Sequence, residues 1–95
     1  MVEVDRDAFR TGVSRTLTKL NHALAAEVGP EDTDQVREYI EHHEFGLALD
    51  LIIASIIHQA LDGRPFEADI DSLARAMRMQ DSHHVLEWRK YLGGA

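Results

Sequence analysis

The stretch from Phe45 to Asp62 constrains the fold more than any other part of the chain. Leu47, Ala48, Leu49, Leu51, Ile52, Ile53, Ala54, Ile56, Ile57, Ala60 and Leu61 cover nearly the whole circumference of a helix. A helix that is apolar all round is one that others pack against on several sides. The β-branched run could also be read as a buried strand, but its length and its Gly-Leu-Ala-Leu and His-Gln-Ala-Leu flanks favour a helix. The stretch holds Asp50, Ser55, His58 and Gln59 and falls short of the roughly 20 apolar residues a spanning helix needs. We therefore expect a central helix over about 45–62, with no membrane partner.

The segments around it have amphipathic periods. Phe9, Val13, Leu17, Leu20, Leu24 and Val28 form one stripe of a first helix, with Arg6, Arg10, Arg15 and Lys19 on its wet side. Gly29-Pro30 ends it, because Gly terminates helices and Pro cannot continue the ladder. A second helix starts between Pro30 and Thr33, where Asp32 and Gln35 suit a capping box, and it turns Val36, Tyr39, Ile40 and His43 inward. Asp62-Gly63-Arg64-Pro65 reads as a loop. Asp69 or Asp71 can cap a fourth helix burying Ile70, Leu73, Ala74 and Met77. Asp81-Ser82 can cap a fifth that presents Val85, Trp88 and Leu92 before Gly93-Gly94. The expectation is an all-α fold, one bundle of four to five short helices spanning 1–95 as a single domain.

The composition fits that size and excludes several functions. The 95 residues are 44% apolar and 28% charged, and they include no Cys, so disulfide frameworks, thiol nucleophiles and zinc ribbons are ruled out. The first residues, Met1-Val2-Glu3-Val4, lack a basic and then apolar leader pattern, which favours a cytoplasmic protein. The net charge of −7 would repel phosphate backbones and anionic lipid, so no nucleic-acid partner is expected and a basic protein is favoured.

Signatures of catalysis are missing. The chain has no phosphate loop and no nucleophile elbow. Its six histidines include the adjacent pairs His42-His43 and His83-His84, whose neighbours diverge by ~100° on a helix. The i,i+4 pairs Glu38/His42 and His58/Asp62 belong to no complete ligand set, so neither a metal nor another cofactor is expected. Asp50, the one charge within the apolar helix, suits pairing with an Arg. Met77, Met79 and Trp88 suit the core. The expected function is binding, not catalysis.

The acids are unevenly placed. Residues 27–71 hold twelve of the 17, against only Arg37 and Arg64, while both flanks are mildly basic. In the second helix Glu31, Asp34, Glu38 and Glu41 share an arc of about 80° opposite Val36, Tyr39 and Ile40. Like charges at i,i+3 and i,i+4 cost roughly 0.2–0.5 kcal/mol per pair. An acidic face that merely keeps the protein soluble is the plainer reading. A docking surface for a basic partner is the other, since opposed fields speed encounter and reject wrong partners.

The junction of the second and third helices adds a resemblance. Val36-Arg37-Glu38-Tyr39-Ile40-Glu41-His42-His43-Glu44-Phe45-Gly46-Leu47-Ala48-Leu49-Asp50-Leu51 resembles the signature region of MafI-type immunity proteins, small helical proteins encoded beside bacterial polymorphic toxins. Glu44, Gly46, Leu47, Ala48, Leu49 and Asp50 meet the family pattern, with Asp50 where Glu is commoner. Trp88 and Leu92 resemble its C-terminal end. The resemblance implies a non-enzymatic antidote that binds and blocks one cognate toxin, often a nuclease, inside the producing cell. Glu44, Gly46, Ala48 and Asp50 suit structural roles: Glu44 at a helix start, Gly46 and Ala48 at a close helix contact. The toxin-binding residues are then expected on the second helix, at Glu31, Asp34, Glu38 and Glu41. A helical adaptor, monomeric or dimeric, docking through the apolar excess of the third helix is the alternative.

Overall fold

The structure, a computed structural model, describes residues 2–93, with side chains from residue 7 onward. The Arg6 side chain and Gly94 lie outside the described residues. Breakers and periodicity set the elements: α1 (Val2–Val28), α2 (Pro30–Glu41), α3 (Phe45–His58), a 3₁₀ turn (Arg64–Phe66), α4 (Glu67–Ala76) and α5 (His83–Gly93). Among the described residues the protein is an all-α bundle with no strand. α1 packs on α2, α3 and α4, while α2 and α5 both pack on α3. α3 is thus the middle of the fold, and Ala48, Leu49, Ile52, Ile53 and Ile56 within it are buried.

The expected stripe of α1 holds over Val13, Leu17, Leu20 and Leu24, which are all buried. Phe9 departs from it and is 43% exposed, at an open surface where Ser72, Leu73 and Ala76 of α4 come beside α1 without covering the ring. Gly29, at φ 95°, ends α1 and begins α2, with Pro30 in the first turn. Asp32 is therefore inside α2 and caps nothing. Thr33 Oγ1 donates back to the Gly29 carbonyl at 3.0 Å. Nor do Asp69 and Asp71 cap α4, which starts earlier, at Glu67, with Phe66 before it; Asp69 instead pairs with Lys19 of α1 at 3.1 Å. Ser82 does cap α5, accepting from the Val85 N–H at 3.4 Å.

Three helices end without glycine. His43 (φ 58°), Ala60 (φ 55°) and Arg78 (φ 56°) are left-handed at the ends of α2, α3 and α4. Each end closes the same way: the N–H of Glu44, Leu61 or Met79 donates to the carbonyl of Tyr39, Ile56 or Ala74. The closure at Ala60 stops α3 at His58, four residues short of the expected Asp62. The matching closure at the end of α2 leaves His43 itself exposed, where the sequence places it inward.

α5 closes the core against α3. Trp88 and Val85 are fully buried. Trp88 stacks on Tyr91 with ring centroids 6.3 Å apart. Tyr91 in turn donates its hydroxyl to the Leu61 carbonyl, fixing the loop after α3.

Candidate functional site

The outer face of α2 is a row of carboxylates. Val36 and Ile40 are drawn into the core, and this rotates Glu31, Asp34, Glu38 and Glu41 out to solvent, where all four are exposed. Asp34 Oδ1 accepts from Arg37 Nη1 at 3.0 Å, and both partners are more than half exposed. Among the described residues Glu31, Glu38 and Glu41 have no cation within 4 Å. The helix dipole favours Glu31 in the first turn. It opposes Glu38 and Glu41 near the C-terminal end, where the last turn has no basic residue. Glu38 and Glu41 therefore sit where their own helix supplies no offsetting charge.

The residues at the α2–α3 junction take up mixed positions. Glu44 stands at the start of α3, but its side chain caps nothing; only its carbonyl accepts, from the Ala48 N–H at 3.0 Å. Ala48 is wholly buried. Gly46 is no point of forced close approach, since a Cβ there would meet Met79 Sδ at 3.5 Å, an ordinary contact. Asp50 pairs with no Arg. Its Oδ1 lies 3.5 Å from His84 Nδ1 of α5, shielded from solvent and without a hydrogen bond. Burial pushes the Asp50 carboxyl above its ordinary value, and the His84 charge pulls it partly back.

The helix expected to be covered on all sides has one open side. Leu47, Leu51, Ala54 and His58 recur at i, i+4, i+7 and i+11, and none is buried; Leu47 is 47% exposed. α2 flanks this strip on one side, where Ser55 Oγ donates to Asp32 Oδ2 at 3.2 Å. α5 flanks it on the other, with His84 and Glu87. The strip is hidden in the sequence because apolar residues on every side conceal which side is bare. The signal that could have shown it is the small Ala54 and the polar His58 on one line.

Among the described residues no three His, Asp or Glu side chains converge as metal ligands. His83 pairs with Glu87 at 2.7 Å, and Asp62 pairs with Arg64 at 3.0 Å, not with His58. The arrangement offers two things to a partner: an exposed carboxylate row and an apolar strip with acidic edges. No helix is long and apolar enough to cross a membrane among the described residues. Comparison with protein-family models, curated proteins and solved structures finds no match to this chain.

Proposed function

We propose that this chain is a non-enzymatic immunity protein, acting in the bacterial cytoplasm, that binds a cognate basic toxin and blocks it. A nuclease is the toxin class that suits it best. The observation carrying this reading is the row of Glu31, Asp34, Glu38 and Glu41, exposed on α2 and countered on that helix only by Arg37. Carboxylates in such a row present to a nuclease what its substrate presents, regularly spaced anionic oxygens on a convex surface. They would fill the basic cleft without offering a bond to cleave. Opposed fields of this kind act on encounter rate and partner choice more than on the lifetime of the complex. The resemblance of residues 36–51 to MafI-type immunity proteins supports the same reading.

The test is co-expression with basic nuclease toxins, together with stopped-flow association. The wild-type chain should protect cells. Glu38→Lys with Glu41→Lys should slow association sharply and lower protection, and added salt should mimic that effect on the wild type. Arg75→Glu with Arg78→Glu, outside the acidic block, should leave association much less affected. Full protection and an unchanged on-rate in the Glu38/Glu41 variant would return this face to a solvation role. One observation favours the adaptor reading, the open side of α3 with Leu47 exposed. A stable homodimer that loses affinity on Leu47→Ala would select it.

A further inference from the structure

The open side of α3 is the floor of a groove of about 400 Å³, walled by α2 and α5. Leu51, Ala54 and Ile57 form an apolar floor, Asp32 stands on the α2 wall, and His84 and Glu87 stand on the α5 wall. No Lys or Arg lines it. Asp32 follows Glu31 in sequence but lies ~100° farther round α2, on the side that meets α3 through Ser55. We propose that this groove receives an arginine side chain presented by the basic protein partner, an inference that rests on the reading above and supplies the anchor which a charged row by itself lacks.

The chemistry of the walls selects that occupant. A purely apolar segment would cover the floor but desolvate Asp32 Oδ1 and the second oxygen of Glu87, the acceptors that Ser55 and His83 leave open. A second copy of this chain, facing its own groove across a two-fold axis, would set acidic walls against acidic walls. An arginine meets both demands, because its aliphatic stem lies along Leu51, Ala54 and Ile57 while its planar head carries five donors. Ser55 holds one oxygen of Asp32 at 3.2 Å and leaves Oδ1 to accept from a guanidinium. Lysine, a compact and strongly hydrated cation, matches two flanking carboxylates less well.

The experiment is a methyl NMR titration of the full chain with Nα-acetyl-arginine amide. Saturable shifts are expected at the methyls of Leu51, Ala54 and Ile57. Nα-acetyl-citrulline amide, of similar shape but uncharged, should bind about tenfold more weakly, and so should arginine to Asp32→Asn with Glu87→Gln. Ala54→Trp, which fills the groove from a half-exposed position, should abolish the response. Shifts confined to the amides of Glu38 and Glu41, an equal response to citrulline, or no shift at all would overturn the groove assignment. Tighter binding of free arginine, with its unblocked α-groups, would make this a metabolite site and overturn it too. Any of these results with an intact Glu38/Glu41 effect on toxin association removes the groove and keeps the immunity reading; the reverse pattern removes the immunity reading alone.

Discussion

The Trp88 ring fills the space that a side chain on Gly63 would need. A Cβ built on Gly63 would lie 2.6 Å from Cη2 and 2.9 Å from Cζ3 of the Trp88 ring, with Leu92 Cδ2 at 3.1 Å. Gly63 has an ordinary φ of −85°, so what it provides is room and not conformational freedom. The indole is wholly buried and packed on Tyr91, so it has nowhere to retreat.

Gly63→Ala should therefore destabilise the fold by about 1–3 kcal/mol in a urea melt, the usual cost of overpacking a core. Gly12 is the internal control. It is exposed in the middle of α1, and a methyl group added there would meet nothing within 4 Å. Gly12→Ala should accordingly stabilise by roughly 0.5–1 kcal/mol. Equal effects at the two sites would show that Trp88 can move aside.

The left-handed residues at helix ends should gain from the reverse exchange. Ala60→Gly and Arg78→Gly each relieve a Cβ at positive φ, and each should raise stability by about 0.5–1 kcal/mol. His43→Gly should gain less, because the His43 ring lies 5.5 Å from that of Phe45 and the contact would be lost. Thermal melts of the three single variants decide the order.

Asp50 makes a signed prediction with pH. Its folded-state carboxyl is raised by burial, so the folded chain holds that proton more tightly than the unfolded chain does. The contribution of Asp50 to stability is therefore greatest in acid and declines as pH rises from its ordinary 3.8 through the raised value. Asp50→Asn does not titrate. Its stability relative to wild type should climb across that window and level off above it, measured as the difference between two urea-melt series. A flat difference would place the Asp50 carboxylate in solvent.

The two sides of α3 should differ sharply. Ile53→Ala and Ile56→Ala remove side chains with no exposed surface and should each cost about 2–5 kcal/mol. Leu47→Ala, on the open side, should fall within about 0.5 kcal/mol of wild type. The same melts should find Glu38→Lys with Glu41→Lys unchanged or slightly steadier, since it removes acids from the negative end of the α2 dipole. Loss of stability in that variant would mean the row contributes to the fold.

What was legible in the residues alone is what local physics settles. Helical period placed Val13, Leu17, Leu20 and Leu24 inward, Gly29-Pro30 separated α1 from α2, and Ser82 opened α5. The exposure of Glu31, Asp34, Glu38 and Glu41 follows from Val36 and Ile40 being apolar on the opposite side of a single helix. Each of these depends on neighbours within one or two turns. The tertiary structure decided the rest. An all-apolar α3 contains no stripe to say which side stays bare; that was settled by where α2 and α5 came to rest beside it. Only their packing brought Asp32 to Ser55, 23 residues away, and Asp50 to His84. The three glycine-free helix ends and the fit of Gly63 to Trp88 were also hidden, because neither a left-handed Ala nor an absent methyl group declares its neighbour in the chain. Periodicity fixes which face of a helix turns inward, whereas only the docking of separate helices fixes what that face meets.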